Sequence, residues 1–154
     1  MKKPANSNNG SMYGVAAEGV LAVYGSLLEG TGNETVLAVS ANALGEPARK
    51  ALAASTEALG YGRDCLALVA TEGVLGSNDL LTIVEGLDPL CLVATDAEAS
   101  ALLAQAYRHD VEPDAACRLM GRSVIAFRDL AALMNTPEDK QRAWALLKKL
   151  PKIN

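Results

Sequence analysis

The sequence is poor in several residue types that mark particular classes of protein. It has one histidine, three cysteines and six aromatic side chains in 154 residues. The cysteines, at positions 65, 91 and 117, form no Cys-x-x-Cys pair, which argues against a disulfide framework and a cysteine-ligated cluster. We therefore expect no metal, no cofactor and a reducing, cytoplasmic location.

Long hydrophobic runs are also missing. Glu, Asp, Gly or Ser interrupts every apolar stretch before it reaches the roughly 18 residues that a membrane span needs, so no membrane partner is expected. Two lysines near the start are not followed by an apolar block, as they would be in a secretory signal. The polar, Asn- and Ser-rich residues 1–11 are predicted to be a flexible tail, and residues 12–154 a single domain.

Positive charge is scarce in the first two thirds of the chain. The net charge of −4 argues against a nucleic-acid binder held by its overall field. However, residues 105–154 are basic on balance, and Arg118, Arg122 and Arg128 are candidate phosphate contacts. The alternative is that these arginines are solvated side chains on helix faces.

The order of apolar segments predicts an α/β protein. Four short, nearly continuous apolar runs at 35–40, 65–70, 90–94 and 123–127 are typical of strands that are covered on both faces. Helical patterns precede, separate and follow them, at 15–28, 48–59, 80–86, from about 97 to 107, and from 137 onward. We therefore predict a three-layer α/β/α sandwich with a four-stranded parallel sheet.

Two helix starts carry specific signals. Thr95-Asp96-Ala97-Glu98 has the spacing of a capping box in which Thr95 is the N-cap. Thr136 is predicted to cap the last helix, with Pro137 in its first turn.

A ligand site is expected at the carboxyl ends of the strands, where loops of an open parallel sheet converge. The residues available there as ligand contacts are Ser40, Ala41, Thr71 and Thr95. Asn42 could orient a water molecule or bind a ligand, or it could form only a local turn. The single histidine, His109, is expected to be exposed at a helix end and to have no chemical role.

The order of elements resembles that of the uracil-DNA glycosylase superfamily. The segment from Val36 to Ala70 is similar to the first βαβ unit of that family, and the segment from Leu80 to Leu103 is similar to its third-strand region. The segment from Asp129 to Trp144, with Pro137-Glu138-x-Lys140 inside it, is similar to the family's "H-P-S-x-L-L-…-P-E-x-K-x-x-W" ending.

This resemblance implies three catalytic candidates. Asn42 lies where the family's "G-x-N-P-G" motif carries the residue that positions the attacking water, but the flanking Gly, Pro and Gly are absent. Asp129, or Arg128 in a register shifted by one, replaces the histidine that stabilises the uracil anion. The asparagine that reads the uracil edge is replaced by Ala70 or Thr71.

Because most of these groups are lost, the resemblance implies a divergent domain without normal uracil excision. Such a domain would act as a nucleobase- or DNA-binding, or a regulatory, module. One alternative is an active, atypical glycosylase that uses Asn42 and Arg128. The other is a structural or interaction protein with no ligand site.

Overall fold

The computed structural model describes residues 12–153, so the predicted tail at 1–11 lies outside the described residues. Five α-helices and six strands occur in this part of the chain. The helices are α1 (Met12–Tyr24), α2 (Glu46–Ala58), α3 (Ser77–Leu87), α4 (Ala97–Tyr107) and α5 (Pro137–Leu147). The strands are β1 (Leu28–Glu29), β2 (Val36–Ser40), β3 (Leu66–Ala70), β4 (Cys91–Ala94), β5 (Ala115–Leu119) and β6 (Arg122–Ala126).

All six strands form one mixed sheet, in the order β1-β3-β2-β4-β6-β5. The inner strands β3, β2, β4 and β6 are parallel, and they are the four apolar runs that the sequence predicts. The α/β class is therefore confirmed, but the prediction of a four-stranded parallel sheet is wrong. Two further strands, β1 and β5, pair antiparallel at the two edges.

Helices pack on both faces of the sheet because successive side chains of its central strands point to opposite faces. Leu37, Val39 and Leu92 belong to a buried cluster that also includes side chains of α1, α3 and α4. Val36 and Val93 belong to a second cluster, which also includes side chains of α2 and α5. Every residue of β2 and β4 is buried, as the uninterrupted apolar runs predict.

The ends of the helices differ from the prediction at several points. The helix predicted to extend to Leu28 ends at Tyr24, a 3₁₀ turn follows at Gly25–Leu27, and Leu28 already pairs with β3. Gly76 is the N-cap of α3, and the Asp79 carboxylate accepts a hydrogen bond from the Gly76 N–H at 2.9 Å. The predicted cap of α5 is confirmed, since the Thr136 hydroxyl accepts from the Asp139 N–H at 3.1 Å.

A hairpin of β5 and β6 occupies residues 115–126, where the sequence predicts only the second of the two strands. Met120 and Gly121 connect the two strands with φ angles of +50° and +85°. Positive φ at both central residues is the type I′ geometry that suits the twist of a two-residue hairpin. The sequence did not predict β5 because only Leu119 of its five residues is fully buried.

Arg122 is buried at the start of β6 and holds this strand to the end of α3 and the turn that follows it. Its guanidinium donates to Glu85 at 2.8 Å, to Asp88 at 2.9 Å and to the Pro89 carbonyl at 2.9 Å. The Tyr107 hydroxyl donates to the same Glu85 carboxylate at 2.6 Å. Burial and this hydrogen bond raise the pKa of Tyr107 well above its usual value. The network ties α3, α4 and β6 together.

None of the helices within residues 12–153 is both long and apolar enough to cross a membrane.

The Arg122 network predicts a large difference between two arginine substitutions. We expect Arg122→Met to lower the free energy of unfolding by about 1–3 kcal/mol, because it removes charge-assisted hydrogen bonds to two partly exposed carboxylates, of which only Glu85 keeps another donor, the Tyr107 hydroxyl. Arg63→Met is the matched control, since Arg63 Nε lies 3.7 Å from a carboxylate oxygen of Glu57 on the surface. This substitution should lower the free energy of unfolding by less than about 0.5 kcal/mol. Urea denaturation measures both values, and equal effects would contradict the structural role of Arg122.

Candidate functional site

A cavity of about 340 Å³ lies at the carboxyl ends of β2, β4 and β6. The loops after these three strands converge there, as the parallel arrangement predicts. The cavity is lined by six of the residues that the sequence analysis identifies as candidates: Ser40, Ala41, Asn42, Thr95, Arg128 and Asp129. The other lining residues are Ala43, Leu44, Gly45, Asp96, Glu98 and Ala131.

Asp96 joins two of the converging loops. Its Oδ1 accepts a hydrogen bond from the Ala99 N–H at 2.8 Å, which makes Asp96 the N-cap of α4. Its Oδ2 accepts from the Ala41 N–H in the loop after β2 at 2.9 Å. A single carboxylate therefore fixes the start of α4 against the rim of the cavity.

The prediction that Thr95 caps α4 is wrong by one residue. The Thr95 side chain is buried, and its hydroxyl lies 3.2 Å from Asp96 Oδ2 and 3.4 Å from the Val39 carbonyl. The side chain thus supports the true cap and does not itself cap the helix. Glu98 is not the second half of a capping box with Thr95, but contributes to the lining of the cavity.

The loop after β6 is held against the loop after β4 by main-chain hydrogen bonds. Ala97 N–H donates to the Arg128 carbonyl at 3.0 Å, and Leu130 N–H donates to the Thr95 carbonyl at 2.9 Å. Asp96 and Asp129 form an isolated antiparallel bridge between the two loops. These contacts fix the backbone of Arg128 and Asp129 beside the cavity.

Arg128 and Asp129 differ in how their side chains are held. Asp129 Oδ1 accepts from the Ala132 N–H at 3.2 Å, a local contact that leaves its second oxygen available. The Arg128 side chain is 70% exposed, and its Nε lies 3.6 Å from a carboxylate oxygen of Asp114. Arg128 therefore already has an acidic neighbour.

All four of the proposed ligand contacts, Ser40, Ala41, Thr71 and Thr95, are buried. The Ser40 hydroxyl is buried and lies 3.5 Å from the Val69 carbonyl, with only part of the residue at the cavity. Thr71 is 2% exposed and is not among the lining residues; its N–H donates to the Ser40 carbonyl at 2.9 Å. The loop after β3 turns back at Thr71, so this residue is a backbone partner of Ser40.

The three candidate phosphate-binding arginines do not share one surface. Arg128 follows the carboxyl end of β6, whereas Arg118 pairs with Ser123 at the other end of the same hairpin. Arg122 is buried against Glu85 and Asp88 and is not available to a phosphate. The three arginines therefore do not form one basic face, and the burial of Arg122 removes it from the candidate phosphate contacts.

The lining of the cavity is acidic. Asp96, Glu98 and Asp129 contribute three carboxyl groups, and Arg128 contributes one guanidinium. No lysine and no aromatic side chain is among the lining residues. An anion entering the cavity would therefore meet more negative than positive charge, whereas a hydrogen-bond donor would meet several acceptors.

Other chemistry-bearing residues lie apart from the cavity. His109 is exposed, and its Nδ1 lies 2.8 Å from the Asp110 carbonyl. Cys65 and Cys91 are buried within the sheet region, as expected of small apolar side chains. No three His, Cys, Asp or Glu side chains within residues 12–153 form a group that could hold a metal ion.

Asp96 and Glu98 contribute more to this site than their sequence signals indicate. The capping-box interpretation makes Asp96 an interior member of the box, although an Asp directly before a helical pattern is itself a strong N-cap signal. The same interpretation assigns Glu98 to the helix start and makes any ligand role secondary.

A comparison of the chain with models of known families finds no match, and a comparison with curated proteins finds no significant match either.

The two contacts of Asp96 can be tested together. We expect Asp96→Ala to cost about 1–2 kcal/mol of stability through loss of the cap and to accelerate hydrogen exchange at the amides of both Ala99 and Ala41. Thr136→Ala is the matched control because Thr136 caps only its own helix. It should accelerate exchange at Asp139 and leave Ala41 unchanged. Unchanged exchange at Ala41 in Asp96→Ala would contradict the bridging role of Asp96.

Proposed function

We propose that this chain is a divergent uracil-DNA glycosylase-like domain that binds a neutral nucleobase at the carboxyl edge of its sheet without excising it. The observation that carries the proposal is the convergence of three strand-end loops around one polar cavity. That position is where open parallel sheets bind ligands. An interaction protein without a ligand site would not require such a cavity.

The resemblance to the glycosylase superfamily supports the choice of a nucleobase. The segment that resembles the family's first βαβ unit is β2-α2-β3 in the structure, and the segment that resembles its ending includes the first part of α5, up to Trp144. The resemblance places Asn42 and Asp129 at the site, and both line the cavity. A volume of about 340 Å³ lies at the lower end of the range for small-molecule pockets, which suits a single base.

The negative charge of the lining favours ligands that donate hydrogen bonds over ligands that are anions. Carboxylates accept hydrogen bonds from exocyclic amino groups, as Asp and Glu do when they contact cytosine N4. The same three carboxyl groups would repel a phosphate. A base that carries an amino group is therefore favoured over uracil and over a nucleotide or a DNA backbone.

Binding of cytosine tests this proposal. We expect millimolar cytosine to shift backbone NMR signals in the 41–45, 95–98 and 128–131 segments, and cytidine 5′-monophosphate to bind no more tightly than cytosine. Ala131→Trp should weaken binding at least tenfold because it fills the cavity. Ala132→Trp is the matched control, since Ala132 is an equally exposed neighbour outside the lining.

Three results would contradict the proposal: no shifts at all, shifts centred elsewhere, or equal weakening by the two tryptophan variants. Tighter binding of the monophosphate would contradict the role assigned to the acidic lining.

A second candidate is the active, atypical glycosylase, and one observation favours it. Asn42 and Arg128, the two residues it needs, line the same cavity. However, the leaving base would develop negative charge beside Asp96, Glu98 and Asp129, and Arg128 is already close to Asp114. Catalysis requires groups that stabilise the developing negative charge. The excess of carboxyl groups over positive charge at this cavity therefore disfavours base excision.

Uracil excision distinguishes the two candidates. Single- and double-stranded DNA containing uracil, incubated for hours with excess protein and then cleaved at abasic sites with alkali, should yield no product. A product that Asn42→Ala abolishes would establish the atypical enzyme and overturn the non-excising proposal.

A further inference from the structure

The helices cover the two faces of the sheet unequally. On one face α1 packs against α3, and α3 packs against α4. On the other face α2 and α5 are joined through the 3₁₀ turn at Ala131–Met134, which contacts both helices. Both follow the carboxyl end of a parallel strand, and the Ile153 N–H beyond α5 donates to the Leu59 carbonyl at the end of α2 at 2.8 Å. The two helices therefore run in the same direction.

A groove of about 380 Å³ lies between α2 and α5. Its lining residues recur at helical spacing on one side of each helix, at positions 47, 50, 51 and 55 of α2 and 140, 143, 144 and 147 of α5. Ala51 and Ala143 are too small to fill the space between the helices, and Leu147 is buried beneath it. The volume lies at the lower end of the range for small-molecule sites.

The apolar side chains of the groove favour an aromatic ligand. Trp144 and Met134 line it, and both are half-buried, so each keeps part of its surface open to the groove. An indole ring stacks on other aromatic rings, and a thioether makes favourable contacts with them. A flat ring system is therefore the apolar group that these two side chains bind best.

The charge of the groove is positive. Lys50 and Lys140 are the only titratable residues of its lining. Each lies within the first two turns of its helix, so both are at the same end of the groove. Neither lysine forms an ion pair within residues 12–153.

The acidic residues nearest in sequence leave these lysines available. Glu46 is four residues before Lys50 but forms no ion pair with it. Glu138 precedes the lysine of α5 by two residues, so it projects from a different side of the helix. Asp139 Oδ1 lies 3.7 Å from Arg142 Nη1. The two ammonium groups can therefore bind an anion from opposite walls of the groove.

From these observations we propose that the groove between α2 and α5 binds a small aromatic carboxylate. The ring lies against Trp144 and Met134, and the carboxylate accepts hydrogen bonds from the ammonium groups of Lys50 and Lys140. The groove shares no lining residue with the cavity after β2, β4 and β6, so this site does not depend on base binding. The two sites differ in charge, because carboxyl groups predominate in one lining and ammonium groups are the only charges of the other.

Titration with 2-naphthoate tests the site. The chain has one tryptophan, so the indole N–H of Trp144 gives a single NMR signal that reports on this groove. We expect 2-naphthoate to shift that signal with a dissociation constant on the order of 100 µM. 2-Naphthamide has the same ring without the charge and should bind at least fivefold more weakly. Added salt should weaken binding of the naphthoate and not that of the amide.

Substitutions test the assigned contacts. Lys50→Met and Lys140→Met should each weaken binding of 2-naphthoate at least threefold. Lys149→Met is the matched control, because Lys149 is exposed just beyond α5 and outside the lining. Ala51→Phe should weaken binding at least tenfold by filling the groove. Ala54→Phe, at an exposed position of α2 outside the lining, should leave it unchanged.

An unshifted Trp144 signal at millimolar 2-naphthoate would overturn the proposal. Equal weakening by a groove variant and its control, with both shown to be folded by circular dichroism, would overturn it as well. Equal affinity for 2-naphthamide would contradict the role of the two lysines. Tighter binding of octanoate, an aliphatic carboxylate, would contradict the choice of an aromatic ligand.

Discussion

The candidate site depends on one carboxylate that serves two segments. Asp96 caps α4 through Ala99 and holds the loop after β2 through Ala41. Without it, an N–H at the cavity rim and one at the helix start would both lack their partner. The same contact also consumes the Ala41 N–H, so this amide is not available to stabilise an anion. The hydrogen bond that fixes the rim of the cavity therefore also removes one backbone donor that could have bound an anion.

The central sheet could be predicted because its sequence signals are local. β2 and β4 are short apolar runs, and burial on both faces follows from that pattern. The cap at Thr136 was equally local. By contrast, β5 is half exposed and carries no apolar run or alternation strong enough to mark it. Its position is set by pairing with β6 and not by its own composition.

The site could be predicted in outline but not in its electrostatics. Parallel strands bring their carboxyl ends together, and this rule alone gathers Asn42, Thr95 and Asp129. Whether Thr95 or Asp96 caps α4 depends on the residue at which the helix begins. Both residue types are common N-caps, so the sequence alone does not decide between these two neighbours. The burial of Arg122 depends on partners 34 and 37 residues away, which no local pattern reveals.

The acidic lining distinguishes between the two functions considered for this cavity, base binding and base excision. A site that excises a base must stabilise the negative charge that develops on the base as the glycosidic bond breaks. A site that only binds an amino-bearing base needs hydrogen-bond acceptors for the amino group.

The most direct test of the proposed function is a crystal structure with cytosine bound. We expect the base in the cavity after β2, β4 and β6, with its amino group within hydrogen-bond distance of Glu98 or Asp129. A base bound elsewhere, or with its carbonyl oxygen facing these carboxylates, would contradict the proposed function.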